Sequence, residues 1–365
     1  MARDTIVKSV TTHFLSIPLE RPLITAAFPI PAIDTALVQV TTEGGHQGVA
    51  WSFAFGKGRV ASLVRMIEDL GELAIGHDAL ETEALWAKLN KAVGFIGQRG
   101  VAAAAISTID TSCWDIKGKA ANLPVYKLLG GFRREVEAYA SQGLWLDRSR
   151  DALAEEASSY VAQGFQAVKM RAGVRDEDED VARIRTVREA IGPDCKLMVD
   201  ANQAWDLKTT LRMARKLEEF NLFWLEEPMP FRQVDDYVRA TEVLTMPMCT
   251  GESNYLKDEI LNLVQRRATD YVMPDLMRMA GVTEMMKALH LCESYNAKVT
   301  PHLFMEHSAH LAAACPNVVW QEYQPWWQPI MEQPIDLVNG CIQLSDRPGF
   351  GFTVSAKALA DYKVS

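Results

Sequence analysis

The 365-residue chain carries 38 Lys and Arg against 47 Asp and Glu, a formal net charge of −9. That balance excludes an electrostatic grip on nucleic acid or an anionic membrane, since either needs a basic face to meet phosphates. The length fits two domains or one barrel with additions. No apolar run approaches a membrane span, and Met1-Ala-Arg-Asp-Thr leads into strand-like sequence with no signal-peptide core, so the chain is expected in the cytoplasm. Cys113, Cys195, Cys249, Cys292, Cys315 and Cys341 form no Cys-x-x-Cys pair and read as reduced core thiols.

In chain order, apolar alternation predicts strands over 5–16 and 35–42, followed by helices over 59–75, 81–93 and 101–120. Residues 1–128 therefore read as an α+β domain. Two of its segments, 23–33 and 52–58, lack regular periodicity yet carry large apolar residues, among them Phe28, Phe53 and Phe55. Such loops serve as lids over a ligand, although packing on their own domain explains the pattern equally well. After Leu129-Gly-Gly the rhythm changes to short strands at 136–140, 167–170, 197–199, 223–225, 248–250, 271–273, 298–300 and 318–320, with amphipathic helices between. Their regular spacing implies a β/α barrel over 129–328 rather than an open sheet. From 329 to 365 the rhythm is lost in turns such as Arg347-Pro-Gly-Phe-Gly, a tail expected to return to the first domain.

Asp200, Glu226 and Glu252 each end a strand-like segment, at equal separations of one helix plus one strand. A β/α repeat brings three such residues to one end of a parallel sheet. One acidic residue past a strand is ordinarily a solvated charge or a helix cap. Three in phase point to a hard divalent cation, which prefers oxygen ligands. Lys169 and Arg171, two apart on a strand, face the same side. Because such cations are rarely buried unpaired, they belong either to a salt-bridge cluster or to a site for a carboxylate substrate. Asp275 and His302 follow adjacent strands, so the carboxylate can fix the imidazole tautomer and raise its basicity, as a general base near neutral pH requires. Glu322, on the eighth strand, either completes this ring or is a rim charge. His307 and His310, three apart on a helix, lack a third ligand and read as packed side chains. Phosphate-cradling glycine signatures are absent.

The ordered set Lys169-x-Arg171, Asp200-Ala-Asn-Gln, Trp224-Leu-Glu-Glu-Pro, Gly251-Glu252, Met273-Pro-Asp, Ala280-Gly-Val and Pro301-His-Leu-Phe resembles the enolase superfamily. More narrowly, the chain is similar to the mandelate racemase subgroup of the mandelate racemase/muconate lactonizing enzyme family. The resemblance covers essentially the whole chain, including Ile109-Asp, Cys113-Trp-Asp and the Leu128-Leu-Gly-Gly junction. It implies a modified (β/α) barrel, with an N-terminal α+β capping domain completed by the C-terminal tail. It implies Mg²⁺ held by Asp200, Glu226 (the first of the Glu-Glu pair) and Glu252. An Asp275–His302 dyad, Glu322 as hydrogen-bond donor to a substrate carboxylate, and Ser141 and Asn202 lining the pocket follow from it as well. A homo-oligomer, an octamer or smaller ring, is also implied.

One departure matters. Racemases of this subgroup have Lys-x-Lys, whose second Lys is the base on one face of the substrate; here that position is Arg171. Arg holds its proton and is a poor acceptor, whereas burial can tune Lys. Two-base racemisation then loses a base, while a one-base reaction survives. In it His302 removes the α-proton of a sugar acid, an aldonate or aldarate, and a β-hydroxyl leaves to give a 2-keto-3-deoxy acid. The acid is protonated His302 or, second, Lys169. A racemase, an epimerase or a lactone cycloisomerase uses the same enediolate, and a silent relative would bind metal and acid sugar as a sensor.

Overall fold

The computed structural model describes residues 4–24, 29–173 and 176–364. Three strands, β1 (Val7–Ile24), β2 (Pro29–Thr42) and β3 (Gln47–Phe53), form an antiparallel meander. Helices α1 (Lys57–Ala74), α2 (Thr82–Ala92) and α3 (Val101–Ala121) pack on it through Val38, Val40, Leu63, Ile67, Trp86, Ile106 and Ile109. The Ala-rich start of α3 lets this helix approach the sheet closely. At Gly48 a Cβ would lie 1.9 Å from the Ser112 carbonyl oxygen, so only glycine fits that contact.

After a short helix α4 (Val125–Leu128), strands and helices alternate: β4 (Glu135–Ala140), α5 (Arg150–Ala162), β5 (Ala167–Arg171), α6 (Glu177–Ile191), β6 (Lys196–Asp200) and α7 (Leu207–Leu217). The series continues with β7 (Trp224–Glu226), α8 (Val234–Val243), β8 (Met248–Thr250), α9 (Leu256–Gln265), β9 (Tyr271–Val272), α10 (Val282–Ser294), β10 (Lys298–Val299), α11 (Met305–Ala314) and β11 (Gln321–Tyr323). Parallel pairing runs from β4 through β10, a Val299–Val318 bridge continues it, and β11 pairs back on β4 to close the barrel. Seven strand–helix units and a final strand make a modified TIM barrel. Along β5, Val168 and Met170 face the helices while Ala167 joins Tyr139, Met198, Trp224 and Cys249 inside. That alternation turns Lys169 and Arg171 inward. A tail follows with β12 (Asp336–Val338), β13 (Cys341–Gln343) and α12 (Ala356–Asp361). Its hairpin pairs with β4, and beyond α12 the Tyr362 carbonyl and the Val364 N–H bond to β1 at Ser16 and Phe14.

Four expectations from sequence need correction. The strand expected at 223–225 begins one residue later, at Trp224. The eighth is displaced: residues 317–319 bridge to Val299 on one side, and it is 321–323 that pair with β4. β3 was not foreseen, because Gly48 to Ser52 are buried on both faces and show no alternation. The segments read as loops at 23–33 and 52–58 are in part strand, since β1 runs to Ile24, β2 starts at Pro29 and β3 includes Phe53. Phe28 lies outside the described residues. Among those described, no helix is long and apolar enough to cross a membrane, and no cysteine is bonded, five being buried and Cys341 partly exposed.

Candidate active site

Asp200 and Glu226 are the last residues of β6 and β7 and stand opposite each other in register, with Arg171 of β5 opposite Asp200. Glu252 lies two residues beyond β8. Strict alternation from Cys249 would send its side chain outward, but Gly251, at φ +137° and with no room for a Cβ against Met273 backbone, breaks the phase. Glu252 thereby reaches His302, with Oε2 3.4 Å from Nε2. The dyad is set by a parallel bridge between Asp275 and His302, and His302 Nδ1 lies 2.7 Å from Asp275 Oδ2. All of these residues stand at the C-terminal end of the barrel, the end where TIM barrels carry their active sites.

Lys169 is 1% exposed and doubly paired, its Nζ 2.6 Å from Glu226 Oε1 and 3.0 Å from Glu322 Oε1. Trp224 Nε1 donates to the other Glu226 oxygen at 2.9 Å. Burial works against the Lys169 charge, but Glu226 and Glu322 outweigh it and hold its pKa well above the ordinary value. Burial, joined by Asp200, Glu252 and Glu322 against the opposing pull of Lys169, lifts Glu226 to about 8, and burial with Glu252 nearby raises Asp200. For His302 burial opposes the charged form, yet Glu252, the Asp275 hydrogen bond and Glu322 together lift it to about 9. The site thus concentrates more negative charge than its cations balance. Among the described residues no three His, Cys, Asp or Glu side chains converge tightly as they stand: Lys169 engages Glu226 and Glu252 turns to His302. The oxygen-only donor set and its excess negative charge nevertheless fit a hard divalent cation.

Glu322 is held among protein partners on both oxygens. Its Oε1 accepts from Ser141 Oγ at 2.5 Å and faces Lys169, and its Oε2 accepts the Leu303 N–H at 2.9 Å. Although burial resists ionisation, Lys169 and His302 hold Glu322 well below the usual carboxylate range. Asn202 does not stand free in the pocket; its backbone N–H and Nδ2 both donate to Asp200, at 2.8 and 2.9 Å. Glu227 faces away from Lys169, accepting from Gln203, Ser253 and Thr250. Phe53 and Phe55 pack on Trp326, and Phe53 reaches Phe304, two residues past His302. Three participants were missed in the sequence. Arg278 bonds the Glu252 carbonyl and lies 3.9 Å from Asp275, and the Asp275-x-x-Arg278 spacing was an available signal. Trp145 lies under Arg171 and Tyr139 under Lys169, contacts with no sequence signature.

His307 and His310 are packed side chains, as their sequence context implied. His307 lies 4.4 Å from Trp51 and 4.7 Å from Phe350, ring centre to ring centre, and His310 Nδ1 accepts the Tyr126 N–H. Burial lowers them to about 3 and about 4. Their neighbour Glu306 is buried with neither carboxyl oxygen bonded to protein, and burial pushes it up to about 8. A folded pKa raised above the unfolded one favours folding at low pH and loses that advantage as pH rises toward the folded value. Thermal melts from about pH 5 to pH 9 should show Glu306→Gln losing less stability than the parent across that window. Parallel curves for the two proteins would refute this role for Glu306.

Residues 9–130 match the mandelate racemase/muconate lactonizing enzyme N-terminal domain, and residues 152–358 match the enolase C-terminal domain-like family. L-talarate/galactarate dehydratase of Salmonella typhimurium is 34% identical, covering 90% of this chain and 83% of its own length. Its crystal structure with Mg and L-lyxarohydroxamate superposes with a TM-score of 0.94 at 31% identity, over 98% of this chain and 93% of that one. Arabinonate dehydratase of Saccharolobus solfataricus is 33% identical over 91% of both chains. D-galactarolactone cycloisomerase of Agrobacterium fabrum is 30% identical over 98% of this chain and 99% of its own.

Proposed function

The chain belongs to the mandelate racemase/muconate lactonizing enzyme family of the enolase superfamily, and from that premise we propose that it is a Mg²⁺-dependent dehydratase of a sugar acid. The product is a 2-keto-3-deoxy acid. What supports this reading is the pairing of one base with a cation: His302 is oriented by Asp275, and position 171, where a second base would be expected, is an Arg that donates to Ser141.

Asp200, Glu226 and Glu252 would hold the ion. When bound, Mg²⁺ supplies positive charge for the substrate carboxylate and for the charge that grows as the α-proton leaves. Lys169 adds a fixed cation beside Glu322, and groups that act on developing charge lower the barrier rather than merely tightening binding. With Glu252 holding the ion instead of facing His302, the imidazole loses the largest support for its charge, so that Nε2 can take the α-proton and, as imidazolium stabilised by Asp275, return a proton to the departing β-hydroxyl. Phe53, Phe55, Phe304 and Trp326 form an apolar rim that excludes water.

A second reading, cycloisomerisation of a sugar-acid lactone, draws on the likeness to D-galactarolactone cycloisomerase and uses the same proton abstraction. Screening aldonic and aldaric acids with Mg²⁺ should give 2-keto acid from at least one of them. Solvent deuterium at Cα without loss of water would favour racemase, epimerase or cycloisomerase chemistry instead.

A further inference from the structure

The Arg171 guanidinium, 5% exposed, is engaged on several sides by the loop that follows β4. Its Nη1 donates to the carbonyls of Ser141 (2.7 Å) and Gly143 (3.1 Å), its Nη2 donates to Ser141 Oγ (2.8 Å), and it lies 4.0 Å over the Trp145 ring. The loop is pinched from its other side as well. A Cβ at Gly143 would stand 2.1 Å from the Tyr160 hydroxyl and 2.5 Å from Glu156, so the loop runs close against these two side chains.

A guanidinium only donates. Ser141 Oγ therefore accepts from Arg171, and its one proton must point elsewhere. The acceptor in reach is Glu322 Oε1, at 2.5 Å. That same oxygen lies 3.0 Å from Lys169 Nζ, and Glu322 Oε2 takes the Leu303 N–H one residue past His302. The direction of every bond from Arg171 to Glu322 follows from the first donor.

We propose that Arg171 is a positioning residue: it fixes Ser141 as a donor to Glu322, keeps Glu322 an acceptor, and so sets where Lys169 stands beside the substrate carboxylate. The inference deepens the dehydratase reading and rests on it. An Arg at this position thus replaces a base by a clamp, rather than leaving an inert gap in the site.

The test is a double-mutant cycle read by steady-state dehydration. Arg171→Met and Ser141→Ala should each lower kcat about 10- to 100-fold, a typical cost of losing a group that orients a catalytic residue, with KM changed by no more than a few-fold. The double variant should be no worse than the weaker single variant, because both break one chain of bonds. Arg171→Lys, which keeps a donor but loses the fork and the planar stacking, should recover part of the lost kcat. Losses that multiply in the double variant, or a fall in Tm with kcat unchanged, would overturn the proposal. Should Arg171→Met fail to fold, the cycle run with Arg171→Lys decides on the same criterion. Wild-type protein that forms no keto acid from any acid tested would sink the dehydratase reading instead. The 171–141 coupling, measured then by denaturant unfolding, still reports on the clamp, and additive changes would refute it.

Discussion

His302→Asn should abolish both turnover and exchange of the substrate α-proton with deuterated solvent, while Mg²⁺ binding persists. The expected loss is about 10²- to 10⁴-fold, the usual contribution of a general base. Here no other group takes over. Lys169 holds its proton between Glu226 and Glu322, and Arg171 is spent on the loop after β4. Asp275→Asn should weaken the same step, because an amide in place of the carboxylate 2.7 Å from Nδ1 neither fixes the tautomer nor stabilises the imidazolium. Proton NMR in D₂O follows the exchange, and titration calorimetry follows the metal. Wild-type protein that interconverts two α-epimers without releasing water would show that one base is not the limit.

Removing the metal should cost as much. EDTA-treated protein should lose activity by roughly 10³-fold or more and regain it with Mg²⁺, since the ion is asked for several kcal/mol of charge stabilisation in the transition state. Glu226→Gln should weaken Mg²⁺ affinity and leave Lys169 with Glu322 as its one remaining carboxylate partner. Glu227→Gln is the informative control. Glu227 faces Gln203, Ser253 and Thr250 rather than Lys169, so its loss should change metal affinity far less. Full activity after chelation, or equal effects of the two substitutions, would remove the metal assignment.

Much of the barrel end was legible because its chemistry is periodic. Residues that end successive strands share one rim, so Asp200, Glu226, Asp275 and His302 are found by counting strands, and the two-residue step from Lys169 to Arg171 turns both inward. Glu252 was located by the same count, yet its direction depends on Gly251 breaking the alternation, which no apolar pattern reveals. The hairpin arms at 23–33 and the strand β3 were misread for other reasons. Gly48 to Ser52 of β3 are buried on both faces, and such a strand has no period to detect, while at 29–31 the exposed Pro29 and Pro31 masked a real alternation with the buried Ile30. Contacts made between loops, such as Trp145 under Arg171, have no local spacing at all. The role of Glu322 was the least legible. Whether a carboxyl donates or accepts is decided by its neighbours, and those come from β4, β5 and the segment after β10.

The tail that pairs with β4 and with β1 also orders events during synthesis. The Ser16 N–H bonds to the Tyr362 carbonyl, and Val136 stands opposite Ile342, so the first sheet and the first barrel strand find their last partners only after every other barrel strand has been made. Contacts so distant along the chain are slow to form, and strand edges left waiting are exposed to other chains. For a ribosome-bound nascent chain, β1 and the outer edge of β4 are then the surfaces most in need of a chaperone.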